Sequence, residues 1–256
     1  MKQNVQRFVV ANWKMYFSHA QALNWIEKNS KMLQELQNES NVSIIVCPSA
    51  DSLSYIAHKL KQTTIMLGSQ NCSAHENGAY TGQIAAQSLS EIGCKWCIIG
   101  HSEVRTACDE TDLVLQSKIE RLFEHHLSPI FCVGEKQEEY QHKTAQKKLK
   151  EQLAPLQRVL ERQHQSKTVA IAYEPLWSIG TGKVASNDYL QELFGIIEQS
   201  MEPYQKQHSF VLLYGGSVDE INAVRLWQIP QIAGFLVGKA STDFQLLKKI
   251  VLSTRG

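Results

Sequence analysis

Eight short apolar runs constrain what this chain can fold into. They read RFVVAN (7–12), SIIVCP (43–48), TIMLGSQ (64–70), WCIIGH (96–101), SPIFCVG (128–134), TVAIAYE (168–174), FVLLYGG (210–216) and GFLVGK (234–239). Most are almost unbroken in hydrophobicity, as expected of parallel strands covered on both faces. Between them lie stretches with helical periodicity, among them 19–36, 110–126, 143–160 and 187–202. The strand starts recur roughly every 25–40 residues, the length of a βα unit. Eight such units predict an α/β protein with a single closed (β/α)8 barrel spanning residues 1–256. A doubly wound open sheet is the rival. It lacks support here, because no Gly-x-Gly-x-x-Gly turn follows the first run and no linker-like tract divides the chain.

Composition narrows the function. The chain is 43% hydrophobic and 20% charged, and its 26 Lys and Arg against 25 Asp and Glu leave a formal charge of +1. That balance provides no electrostatic footprint for nucleic acid or an anionic membrane. No signal-peptide pattern opens the chain and no apolar run is long enough to span a bilayer, so a cytoplasmic protein is expected. Five of the six cysteines sit in or beside apolar runs and read as reduced, buried thiols. The pair Cys94 and Cys97 has a redox or zinc spacing, but no second Cys/His pair lies at ligand spacing, and the pair reads as structural. The Lys- and Gln-rich stretch 143–160 reads as a solvated helix face.

In a barrel of this kind the site is built where the strands end. Those ends supply Asn12 and Lys14, Gln70 and Asn71, His101 and Glu103, Glu135, Glu174, the turn Gly215 to Ser217, and the turn after Gly238. A cation, an imidazole, carboxylates and two glycine-containing turns suited to an anion therefore meet at one end. Each residue has a bland reading as a surface charge or a structural histidine. Their coincidence at the carboxyl ends of apolar strands favours a site.

The motifs ANWKM (11–15), IIGHSE (98–103), CVGE (132–135), AYEPLWSIGTGK (172–183) and LYGGSV (213–218) resemble, in order and spacing, the triosephosphate isomerase family, whose fold is the TIM barrel. The resemblance implies interconversion of dihydroxyacetone phosphate and glyceraldehyde 3-phosphate through an enediolate, with no metal and no organic cofactor. It implies Glu174 as the base, His101 as the electrophile, Lys14 as a cation beside the phosphate, Asn12 as a positioning group and Glu103 as the neighbour of that lysine. The family is itself a standard example of a neutral catalytic imidazole beside a helix N-terminus. HSEVR (101–105) puts His101 just before a helix start, with Ser102 near the cap. Gly180, Ser217 and Gly238 match phosphate-holding amides. Pro175 to Trp177 and Lys183 to Ala185 match the hinges of a lid with SIGTG (178–182) at its tip, and that loop is a standard example of closure that excludes water. GAYTG (78–82) resembles a dimer-contact loop, so a homodimer through the loop around Thr81 is expected.

Two departures stand out. The last phosphate turn reads GKAS (238–241), with Lys239 where the family usually has a second glycine. At negative φ this substitution is neutral for the backbone, and the ammonium adds attraction for the phosphate. At positive φ it is strained by about 1 kcal/mol. Val104 and Gln83 stand where the family usually pairs an arginine with a glutamate across the dimer. Both charges are missing together, so neither partner is left as a lone buried charge. A sister isomerase of a four-carbon ketose phosphate, a Schiff-base aldolase using Lys14 and a non-catalytic relative of the fold remain as alternatives.

Overall fold

The computed structural model describes residues 6–178 and 185–253. Eight parallel strands form a closed barrel in chain order. They are β1 (Arg7–Asn12), β2 (Val42–Cys47), β3 (Met66–Ser69), β4 (Trp96–Ile99), β5 (Ser128–Val133), β6 (Thr168–Tyr173), β7 (Ser209–Tyr214) and β8 (Gly234–Val237). The barrel closes where Phe8 to Ala11 pair with Gly234 to Val237. Helices α1 (His19–Ser40), α2 (Ala50–Leu60) and α3 (Ala86–Ile92) follow the first three strands. Next come α4 (Ser102–Ala107), α5 (Asp112–Glu124), α6 (Gln137–Gln141) and α7 (Ala145–Leu160). The last three are α8 (Asn187–Met201), α9 (Asn222–Leu226) and α10 (Phe244–Leu252). All eight apolar runs became strands, within two residues of their expected starts.

Side-chain alternation explains why those runs are apolar on both faces. Val9, Ile44, Phe131 and Ile171 pack with helix residues such as Ile26, Leu122 and Leu193 in the layer between sheet and helices. Their neighbours Phe8, Val10, Ile45, Trp96, Ile98, Ile130 and Leu236 form a second cluster made of strand residues alone, which is the filled barrel interior. Neither face meets water, so a polar residue is tolerated only where a strand ends.

The helices are delimited by local chemistry. Ser18 and Gln21 form a reciprocal capping box at the start of α1, and Asn41 ends it in the left-handed region at φ 56°. In α7 the face bearing Leu149, Leu153, Leu156 and Leu160 is buried while Lys147 and Lys150 point to solvent, in line with the solvated reading of that stretch. Cys47, Cys72, Cys94, Cys97 and Cys132 are buried and Cys108 is exposed. No helix among the described residues is long and apolar enough to cross a membrane.

Because the barrel interior is closed on all sides, it cannot collapse around a deletion. Ile130→Ala is expected to lower the unfolding free energy by about 2–5 kcal/mol. Lys147→Ala on the solvated face should change it by less than about 0.5 kcal/mol. Urea denaturation of the two variants checks both.

Candidate active site

Asn12 ends β1, and its side-chain oxygen accepts the Lys14 N–H at 3.1 Å. This short turn lets Lys14 adopt φ 47°, an uncommon conformation for a non-glycine residue. Gln70, just past β3, donates to the carbonyls of Lys14 at 2.9 Å and Cys47 at 3.0 Å. The ends of three strands are thereby tied together, and the Lys14 side chain is aimed across the barrel mouth. There its Nζ meets Glu103 Oε1 at 2.7 Å.

His101 follows β4 and is itself the N-cap of α4. Ser102, expected near the cap, is the first residue of the helix. His101 Nδ1 accepts the Glu103 N–H at 3.3 Å. An accepting Nδ1 places the proton of the neutral ring on Nε2. That Nε2 lies 3.2 Å from Glu174 Oε1. Arg105 braces the same corner through the Gly100 and Cys132 carbonyls at 2.7 and 3.1 Å.

Glu174 is 2% exposed and His101 4%. Burial pushes the Glu174 carboxyl above its ordinary range, although His101, Lys14 and a backbone N–H from Ser102 pull the other way. Its place is made by two missing side chains. A Cβ on Gly215 would stand 2.8 Å from Glu174 Cγ, and one on Gly134 would stand 1.8 Å from the Glu174 carbonyl oxygen. A side chain at either position would force Glu174 to shift.

A hollow of about 270 Å³ connects these groups to the two turns. Asn12, Lys14, His101 and Glu174 form one side, and residues 215–219 and 238–240 form the other. Among the described residues, the amides of Gly216, Ser217 and Gly238 donate to no acceptor, as expected of groups kept for an anion. Lys239 has no positive φ, so its side chain strains nothing, and it opens a short 3-10 turn held by Ser241 and Thr242. Of the strand-end residues expected in the site, Gln70, Asn71, Glu103 and Glu135 stand outside this lining, and Glu103 reaches it through Lys14. Gly180, the other lid-tip residues apart from Ser178, and the hinge residues Lys183 and Val184 lie outside the described residues.

A second hollow, of about 420 Å³, separates segment 71–84 from α4 and α5. Gln83 and Val104 both line it, so the two uncharged replacements face one space.

Glu135 was visible in the sequence only as one more acid at a strand end. It is wholly buried after β5, and burial pushes its carboxyl up against the hydrogen bonds that favour its charged form. Among the described residues, the one set of ligand atoms close enough to share an ion is Glu76, Glu124 and His125, outside this site. Arg121 already pairs with both of those carboxylates.

A family model described as triosephosphate isomerase matches residues 7–254. Proteins named triosephosphate isomerase from Dictyoglomus thermophilum and Aquifex aeolicus are 37% and 36% identical over 252 residues. Those matches cover 97% of this chain and 99% and 100% of the relatives. The protein of that name from Bordetella pertussis is 38% identical over 242 residues, 93% of this chain and 94% of its own. With the motifs, the closed barrel and the relatives in agreement, the chain belongs to the triosephosphate isomerase family.

Proposed function

We propose that this chain, acting as one barrel unit over residues 1–256, interconverts dihydroxyacetone phosphate and D-glyceraldehyde 3-phosphate, the isomerase step shared by glycolysis and gluconeogenesis. The observation that carries the reading is the desolvated pair of Glu174 Oε1 and His101 Nε2, 3.2 Å apart beside the Lys14 ammonium. The Glu174 carboxylate removes a proton from the carbon next to the substrate carbonyl. The electron pair left behind moves onto the carbonyl oxygen, giving an enediolate. His101 Nε2–H gives its proton to that oxygen and the ring takes up the proton of the neighbouring hydroxyl. The proton held by Glu174 returns to the former carbonyl carbon and leaves the new carbonyl on the carbon that lost it. Raised basicity from burial is what suits a carboxylate to this work near neutral pH.

Lys14 offsets the charge on the phosphate and the enediolate, Asn12 sets the lysine's turn, and Glu103 holds the ammonium in place. The amides of Ser217, Gly238 and Gly180 hold the phosphate. The triose is preferred over a four-carbon ketose phosphate because the relatives carry the triose name. Lys239 adds a second cation at the phosphate end, beyond Lys14. Five buried thiols fit a reducing cytoplasm.

The protein also forms a homodimer through the loop around Thr81. Tyr80 in that loop and Val114 in the lining of the 420 Å³ hollow are exposed, as are Met15 and Tyr16 after β1, in keeping with a surface that a second copy covers.

A coupled assay on triose and tetrose phosphates tests the reaction. Glu174→Gln should lower kcat by about 10²–10⁴-fold. Because burial favours the protonated acid, the ionised base is populated only above the usual carboxylate pKa of about 4. A 13C NMR titration of the Glu174 carboxyl should therefore show a midpoint above that value, and a midpoint at or below it contradicts the assignment. Lys239→Gly should raise KM at low ionic strength and lose the difference at high salt. Sedimentation should find a dimer at micromolar protein with little salt dependence, since Gln83 and Val104 carry no charge.

A further inference from the structure

Three donors converge on one oxygen of Glu135. Tyr173 Oη lies 2.9 Å from Oε1, Trp177 Nε1 lies 2.7 Å from it and Tyr189 Oη lies 2.9 Å from it. Oε2 has no partner among the described residues. The backbone carbonyl of Glu135 accepts the Leu176 N–H at 3.0 Å. Residues 173, 176 and 177 bracket Glu174, so one buried acid grips the chain on both sides of the carboxylate assigned as the base.

Two further rings fasten this grip. Tyr140, carried by the five-residue helix α6, stacks on Trp177 with centroids 4.2 Å apart and planes 25° from parallel. Tyr189, from the first turn of α8, meets Tyr140 edge-on at 5.2 Å and 88°, besides donating to Glu135. The indole is thus held by a bond through its N–H and by a flat ring on its face. Neither tyrosine lines the 270 Å³ hollow. Neither is needed to bury the core either: Tyr140 is 38% exposed, and Tyr189 packs only at the edge of the core.

We infer that Tyr140 and Tyr189 are positioning residues for Glu174, acting through Trp177 and Glu135. The inference rests on the reading of Glu174 as the base. An offset stack or edge-on pair of this kind favours the held position about two- to tenfold over a released one. Proton transfer responds steeply to that, since a displacement of about 1 Å at a reacting group can cost on the order of 100-fold in rate. Releasing Trp177, three residues beyond Glu174, lets the carboxylate wander.

The test is the split between kcat and KM in four variants. Tyr140→Leu keeps bulk without a flat face, and Tyr189→Phe removes only the hydroxyl. Each should lower kcat about three- to tenfold with a smaller change in KM. Tyr140→Phe keeps the stack and should restore kcat to that of the parent. The fourth variant is Glu174→Gln. If Tyr140→Leu and Tyr189→Phe both keep the parent kcat while Tm falls and Glu174→Gln is inactive, the rings serve stability alone and the inference is overturned by itself. If Glu174→Gln stays active, the base reading fails and carries this inference down with it.

Discussion

The hydrogen bonds between β1 and β8 are the constraint on which the rest depends. They turn a row of eight strands into a ring, so that no strand has a free edge and all eight carboxyl ends face one mouth. Lys14, His101, Glu135, Glu174, Ser217 and Gly238 are spread over more than 220 positions of sequence. Closure makes them neighbours. An open sheet with the same strands would have left the phosphate turns after β7 and β8 far from Lys14 after β1.

Closure also determines how polar these ends can be. Inside the ring every strand residue meets either the filled interior or the helical layer, and the first place a carboxylate can sit is one residue past a strand. Glu174 occupies that place after β6 and Glu135 stands one residue further along after the adjacent β5, and both are desolvated. The two acids are handled differently. Glu135 is saturated on one oxygen by two hydroxyls and an indole, which suits a structural anchor. Glu174 faces an imidazole, an ammonium and an open hollow, which suits a group that exchanges protons. Burial raises both carboxyl groups, and it is the donors around each that separate anchor from base.

Much of this was legible in the residues. The strands showed because parallel barrel strands are apolar on both faces, a pattern that local reading detects without knowing the partners. The strand-end acids, the imidazole and the glycine turns showed because polar groups closing apolar runs are conspicuous. Other parts were not legible. Tyr140 sits in a polar helix of five residues and Tyr189 in the first turn of another, and nothing local distinguishes them from surface rings. Their meeting at Trp177 is a contact between residues 37 and 12 positions away in sequence. The part played by Gln70, which ties the carbonyls of Lys14 and Cys47 together, was hidden in the same way.

The sequence by itself determined the number of βα units, the identity of the groups at each strand end and the family motifs that name the chemistry. These depend on residue type and short-range spacing, which the chain carries locally. Only the tertiary structure decided the geometry among them. It set the 3.2 Å approach of His101 to Glu174, the side of the imidazole that holds its proton, the room that Gly215 and Gly134 leave for the carboxylate, and the negative φ that lets Lys239 stand in a glycine's usual place. The approach of His101 to Glu174 and the room beside Glu174 arise where distant segments compete for the same few ångströms. That competition exists only once the barrel is closed.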